Sequence, residues 1–234
     1  MRKIFFLTLI VFQGLATTAM AQEKFGFEVG VYGGPVDWRG RSFQVGPPQA
    51  SPPIPLSFDY KNKPVYGGRL NLLSSGHWGG ELSYSYQRNT VTLSRTSFTP
   101  VCLKGGIHEF FYNTVLYPFR YRSSRVMPFA TAGIGMAAYQ LSGETRRRAA
   151  DPKIYGLGNL KSMDKRFAFN YGGGIKVNVL SHLGVRVDFR HNFSDVPSYG
   201  LPKESSNPAQ TVLPIQGKLQ NFEGSVGIYI HFLK

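Results

Sequence analysis

Charged residues at alternate positions are the side chains of this sequence best placed to build a polar site. Arg186, Asp188 and Arg190 alternate with apolar residues at positions 185, 187 and 189. Alternate residues of an extended strand share one face, and buried charges are tolerated only where opposite charges pair. We therefore expect an ion-pair network on one face of this strand.

Charged residues on the same face of other predicted strands are expected to join this network. Its predicted members are Glu28, Arg69, Glu81, Glu109, Lys176, Arg186, Asp188, Arg190 and Glu223. If the strands close into a narrow barrel, these side chains face the lumen, and eight strands leave an interior just wide enough for side chains. The expectation is a structural plug, and a conducting path is the alternative.

His191 and Ser194 are the strongest candidates for nucleophilic catalysis, in the segment His-Asn-Phe-Ser-Asp at residues 191–195. A serine nucleophile needs a base such as histidine within hydrogen-bond reach. Residues three apart in a strand point to opposite faces, so this pair does not meet that need. The prediction is that the chain has no catalytic residues and is not an enzyme.

Metal and cofactor sites are not expected either. The histidines at positions 77, 108, 182 and 231 show no metal-ligand spacing, and Cys102 is the only cysteine, which excludes a cysteine-rich zinc site or a disulfide within the chain. The glycine run at residues 172–174 lacks the Lys-Ser/Thr of a phosphate-binding loop. We predict no metal and no cofactor.

Residues 1–21 have the features of a removable secretory signal peptide. Arg2 and Lys3 precede an apolar run, and Ala19-Met20-Ala21 offers small residues at the expected cleavage positions. The apolar run is shorter than the roughly 20 residues that a spanning helix needs, and Gln22 rather than cysteine follows the expected cut. We expect neither a retained anchor nor a lipoprotein, and one domain over residues 22–234.

Period-2 alternation of apolar and polar residues predicts that this domain is all-β. In residues 222–232, for example, Phe222, Val226 and Ile228 share one parity, whereas Glu223 and Ser225 share the other. In residues 107–117 both parities are aromatic, so no face is assigned there. The predicted strands are residues 25–34, 65–73, 78–87, 107–117, 127–139, 167–179, 183–193 and 222–232.

The lengths of the connections alternate. Short turns at residues 74–77, 120–126 and 180–182 alternate with long loops, which are expected at about residues 35–64, 88–106, 140–166 and 194–220. Transmembrane barrels of bacterial outer membranes have short periplasmic turns and longer outer loops. The pattern therefore predicts a closed antiparallel up-and-down transmembrane β-barrel of eight strands, with both termini periplasmic.

The charge of the chain is strongly positive. The full sequence has a net charge of +14, and loss of Arg2 and Lys3 with the signal leaves 25 basic against 13 acidic residues, a net charge of +12. For an exported chain such an excess favours lipid phosphates and acidic glycans rather than nucleic acid. Arg146, Arg147 and Arg148 form the densest basic run, a candidate contact for an anionic surface whose alternative is a solvated loop.

Four aromatic residues are candidates for membrane interfaces, where amphipathic rings are favoured. Trp78 and Tyr117 fall at strand ends on the expected periplasmic side, and Tyr86 and Tyr139 fall at the outer ends. The ordinary strand propensity of aromatic residues explains the same positions equally well.

The strand at residues 222–232 is similar to the closing strand by which outer-membrane barrels are recognised for assembly. With Pro128-Phe129-x-x-x-Gly133-x-Gly135 and Gly172-Gly173-Gly174, it resembles the eight-stranded outer-membrane protein A-like barrels over nearly all of the mature chain. The resemblance implies a bacterial outer-membrane location and a monomer. It implies outer-membrane lipids, glycolipid and the barrel-assembly machinery as partners, and we expect no peptidoglycan-binding domain after the barrel.

Four functions follow as hypotheses from these expectations. The first is a non-enzymatic integral outer-membrane barrel with a structural, adhesive or surface-binding role. The second is a small-solute channel or hydrophobic-ligand conduit. A lipid A-modifying enzyme is the third, but in the barrel-type lipid A deacylases the histidine and serine stand two apart on one strand face, unlike His191 and Ser194. A soluble lipocalin-like binder, with apolar residues inside, is the fourth.

Overall fold

The alternating sequence pattern folds as strands over most of the chain. The protein is represented by a computed structural model, which describes residues 26–39, 41–44, 55–74, 76–95, 101–119, 124–151, 158–202 and 218–233. The predicted signal peptide lies outside the described residues. The elements in chain order are β1 (Gly26–Gly34), β2 (Val36–Arg39), β3 (Arg41–Gln44), β4 (Pro55–Tyr60), β5 (Val65–Leu73), β6 (Trp78–Arg95), β7 (Val101–Leu116), β8 (Val126–Leu141), α1 (Gly143–Ala150), β9 (Met163–Asn178), β10 (Leu183–Asp195) and β11 (Lys218–Leu233).

Eight of these strands close into a ring. β1 and β5 to β11 each pair antiparallel with their neighbours along the chain, and β1 pairs with β11 to complete the ring. β2 continues the register of β1 along β11 after Pro35, whose carbonyl accepts the Gly224 N–H at 3.1 Å. β3 and β4 form a hairpin that extends β6 beyond the ring. The predicted closed up-and-down barrel of eight strands is confirmed.

Polar side chains point into this barrel and apolar side chains point out. Glu28, Asn71 and Asp188 are almost completely buried, whereas Val31, Phe189 and Ile228 are more than half exposed on the outer wall. This arrangement is the reverse of a lipocalin, so the soluble alternative is wrong. On β7, Ile107, Glu109 and Phe111 face inward and Phe110 and Tyr112 face outward, which assigns the faces that the sequence left open.

The strands are longer than the sequence predicts at one end of the barrel. We call this end the loop end, and the end that holds the tight turns and residues 26 and 233 the turn end. β6 and β7 stay paired from Trp78–Leu116 up to Leu93–Val101, so the loop predicted at residues 88–106 is mostly a hairpin. Sixteen strand residues, as in β7, rise about 40 Å along the axis when tilted, compared with about 25 Å for an outer-membrane apolar band.

The long connection predicted at residues 140–166 contains a helix. α1 begins after Ser142, whose hydroxyl oxygen accepts the Thr145 N–H, and ends at Ala150. Thr145 also exchanges two hydrogen bonds with the backbone of Lys104 on β7, at 2.9 and 3.0 Å. The basic run 146–148 is therefore helical and docked on the barrel, not a loop. Among the described residues, no helix is long and apolar enough to cross a membrane.

The glycine run of β9 reflects close contact between strands. A Cβ atom at Gly172 or Gly174 would overlap the carbonyl oxygens of Phe189 and Val187 on β10. Glycine is therefore required where the inner wall is tightly coiled.

Candidate functional site

The first layer of the interior site lies near the turn end and is centred on Glu28. Lys176 donates to Glu28 Oε2 at 2.5 Å, and Asn71 donates to the same oxygen at 3.2 Å. The His231 Nδ1 atom lies 3.5 Å from Glu28 Oε1. Lys176 is completely buried and its Nζ atom lies 5.4 Å from the centre of the Tyr117 ring. A cation and a carboxylate are thus paired in a site closed to solvent.

The second layer contains two carboxylates that share three arginines. Arg186 makes two bonds of 2.9 Å to Asp188 and a third of 2.6 Å to Glu81. Arg190 bridges the same two carboxylates, at 2.7 Å to Glu81 and 3.1 Å to Asp188. Arg69 reaches Asp188 across the barrel at 2.5 Å. The planar, multidentate guanidinium group suits this kind of bridging better than an ammonium group does.

Above this layer the remaining two predicted members have weaker partners. Glu223 lies 3.7 Å from Arg69. Glu109 accepts hydrogen bonds from Ser85 at 3.3 Å and Asn221 at 3.5 Å. All nine residues singled out from the sequence are therefore buried in the lumen, where eight of them join ion pairs and Glu109 bonds to neutral groups.

An aromatic cluster covers the network on the side of the loop end. The Trp38 and Tyr60 rings stack with centroids 5.0 Å apart, and Trp38 donates through Nε1 to Gln87 at 2.9 Å. Tyr139 shares a 2.5 Å hydrogen bond with Ser194. Tyr199, in the segment after β10, packs against the same cluster. Burial raises the pKa of the Tyr199 hydroxyl well above its usual range, so this group stays neutral.

Two of the four residues considered for membrane interfaces lie inside the barrel. Tyr139 is buried inside the barrel, and so is Tyr117 near the turn end, so neither ring lies at a membrane interface. Trp78 is exposed at the turn end. Trp38 and Tyr60 were missed altogether because they lie in a connection that shows no clear alternation; the one available signal was their aromatic character.

His191 and Ser194 lie on opposite walls of β10. His191 faces outward, where its Nδ1 atom is 3.0 Å from the Tyr171 hydroxyl and its ring stacks on Phe222 at 4.0 Å. Ser194 is buried inside and bonds to Tyr139. The structure therefore does not bring the two groups together as a nucleophile and its base.

The basic run forms the exposed surface of α1. Arg147 and Arg148 are exposed, and Arg146 is partly buried. Arg148 forms a 3.1 Å pair with Glu144 that is open to solvent, and such pairs contribute little to stability. The four loop-end connections, taken as residues 35–64, 88–106, 140–166 and 194–220, contain 16 lysines and arginines against 7 acidic residues. The basic surplus thus lies outside the lumen.

Comparisons with known proteins agree with this architecture. The family model for the outer membrane protein beta-barrel domain matches residues 7–213. The solved structure of the outer membrane protein OprG from Pseudomonas aeruginosa is similar, with a TM-score of 0.58 at 11% identity over 90% of this chain and 97% of that chain. At such an identity the likeness shows the fold alone.

Two further solved structures are more distantly similar. Neisserial surface protein A gives a TM-score of 0.48 at 10% identity, over 89% of this chain and 97% of that chain. The N-terminal β-barrel domain of Pseudomonas aeruginosa OprF gives 0.44 at 12% identity, over 90% and 100%. No curated protein sequence matches this chain.

Proposed function

Because the chain belongs to the outer membrane protein beta-barrel domain family, we propose that it is a non-enzymatic barrel that binds anionic molecules at the cell surface. In this proposal the loop end faces outward and the termini are periplasmic. The barrel is a closed anchor, and the extended hairpins and α1 carry the binding surface.

The observation that carries the proposal is the separation of charge between the interior and the loop end. The lumen network contains four cations and five carboxylates, so it is nearly neutral and most of its charged groups pair with one another. The positive excess of the chain is left to the ends, and chiefly to the loop-end connections. A surface with a single dominant sign of charge attracts partners of the opposite sign.

The filled lumen argues for an anchor rather than a channel. Arg186 and Arg190 on β10 reach Glu81 on the facing strand β6, so side chains cross the interior. Planar-bilayer recording on the purified protein tests this part. We expect no conductance steps over many insertions, and regular steps would contradict the closed-anchor proposal.

Binding to a soluble polyanion tests the surface part. The full-length protein in detergent is titrated with heparin as a probe, and Arg147→Glu is compared with Arg125→Glu. Both side chains are exposed, but Arg125 lies at the turn end. We expect several-fold weaker binding for Arg147→Glu and little change for Arg125→Glu, because a barrel length of about 40 Å exceeds the Debye length of about 8 Å at physiological salt. Equal effects of the two substitutions would overturn the proposed surface.

A further inference from the structure

A groove of about 640 Å³ lies on the side of the barrel, at the junction of β2, β11, β10 and β9. Register places Asp37, Phe222, His191 and Tyr171 in one row across these four strands. Two residues closer to the turn end on β11, Gly224 pairs with Phe189 of β10. The groove therefore lies where the outward apolar wall meets the polar loop end.

The lower part of the groove is apolar. Phe189 is 69% exposed and Phe222 is 42% exposed on the outer wall. Gly224 leaves a notch between them, since a Cβ atom there would be in ordinary contact with Phe189 at 3.6 Å and Pro35 at 4.0 Å. Part of an aliphatic chain placed in the notch would make van der Waals contact with these apolar groups.

The upper rim is polar and basic. Asn62 donates to Asp37 at 3.0 Å, and Arg39 pairs with Asp37 at 3.4 Å. The Arg39 guanidinium also lies 5.4 Å from the centre of the Phe222 ring. Lys61 and Lys63 flank Asn62 and are exposed. The rim thus combines cations that attract phosphate with a carboxylate and an amide that can bind hydroxyl groups.

We propose that this groove binds one acyl chain of a phosphorylated glycolipid of the outer leaflet. The acyl chain lies in the notch at Gly224, a phosphate group faces Arg39, and sugar hydroxyls face Asp37 and Asn62. Asp37 argues for a glycolipid, because its carboxylate repels a phosphate but accepts hydrogen bonds from a sugar. The inference rests on the outward orientation of the loop end in the proposed function.

Native mass spectrometry of the detergent-solubilised protein with added diphosphorylated lipid A tests the groove. Gly224→Leu fills the notch without changing any charge. Gly68→Leu is the matched control, because Gly68 also faces outward and a Cβ atom there meets only Gly30 O at 3.8 Å. Leucine would occupy the space of the acyl chain and remove its packing contacts, so we expect at least a several-fold loss of bound lipid A for Gly224→Leu. Gly68→Leu should retain wild-type binding.

Arg39→Glu provides a second variant, which reverses a charge of the rim at a side chain that is 68% exposed. We expect it to reduce lipid A binding several-fold and to weaken heparin binding less than Arg147→Glu does. Equal lipid A binding by wild type and Gly224→Leu, or equal loss in both glycine variants, would overturn the proposal. Equally strong binding of phosphatidylglycerol at the groove would also overturn it. Arg147→Glu should weaken heparin binding and keep lipid A binding. Unchanged heparin binding in this variant would therefore contradict the surface alone, whereas unchanged lipid A binding in Gly224→Leu would contradict the groove alone.

Discussion

Glu81 shows how single residues hold the interior together. Its two oxygens accept from Arg186, Arg190 and Asn113 at 2.6, 2.7 and 3.0 Å, and the side chain is inaccessible to solvent. Two arginines on one strand are thereby tied to a carboxylate on a strand that is not their neighbour. The energetic importance of such a residue lies in what its removal leaves behind, because an unpaired buried charge is costly.

Glu81→Ala should therefore destabilise the protein strongly. We expect a loss of about 3–5 kcal/mol in the free energy of unfolding, because Arg186 and Arg190 would each lose a buried partner. Guanidinium unfolding in detergent, followed by tryptophan fluorescence, measures the change. Glu144→Ala is the control: its carboxylate also pairs with an arginine, but in solvent, and should cost less than about 1 kcal/mol. Similar losses in the two variants would show that the network does not stabilise the barrel.

For single residues, the sequence predicted which charged side chains point into the barrel but not which of them form ion pairs with each other. Parity alone places Arg69 and Asp188 on inward faces, yet nothing in the sequence says that they meet across the lumen. Tyr139 and Tyr117 were placed wrongly because a tyrosine ring suits an interface and a barrel interior alike. The choice between the two depends on neighbours that only the closed barrel supplies, such as Ser194 for Tyr139.

The same limit applies to whole elements. In the part of each strand that alternates between apolar and polar residues, the eight predicted strands match the observed ones. Beyond it, as in residues 88–95 of β6, the residues are mostly polar and read as loop. The backbone pairing that extends these strands needs no apolar face, so the sequence pattern cannot show it.

Helix α1 is held on the barrel by two buried side chains, Thr145 and Ala149. Thr145 is buried and bonds to both backbone groups of Lys104. Its N–H group is satisfied by the Ser142 hydroxyl, which caps the helix. The exposed arginines are therefore held by a contact on the opposite side of the helix.

Thr145→Val should loosen α1 without changing its charge. Valine keeps the shape but loses both bonds to Lys104, at a cost of about 1 kcal/mol, so backbone amides of residues 143–150 should exchange about fivefold faster. Hydrogen–deuterium exchange read by mass spectrometry gives this rate. Glu144→Ala serves as the comparison, since it removes a solvent-exposed pair on the same helix. Unchanged exchange in Thr145→Val would mean that other contacts hold the helix.

For the molecule as a whole, the charges fall into two groups that respond differently to salt. The interior pairs are shielded from solvent, whereas the arginines of α1 are open to it. Salt screens exposed charges over a few ångströms at 1 M but affects buried pairs much less.

Raising the salt concentration should therefore separate stability from binding. Raising sodium chloride from about 0.1 to about 1 M shortens the Debye length from about 10 to about 3 Å. We expect heparin binding to fall steeply over this range and the thermal unfolding midpoint in detergent to shift little. Circular dichroism and titration on the same samples measure the two effects. A large fall in the midpoint would indicate that the interior charges are accessible to solvent.

The ion pairs of the lumen also bear on how the barrel is assembled. They join residues far apart in the chain: Lys176 and Glu28 are separated by 148 positions, Arg69 and Asp188 by 119, and Arg186 and Glu81 by 105. The early strands thus carry carboxylates and an arginine whose partners lie on β9 and β10. Neither half of the chain can pair all of its own inward charges, so we expect the barrel to close only when β9 and β10 are in place. Such long-range contacts slow folding. A chain that lacked β9 and β10 would leave Glu28, Arg69 and Glu81 without these partners.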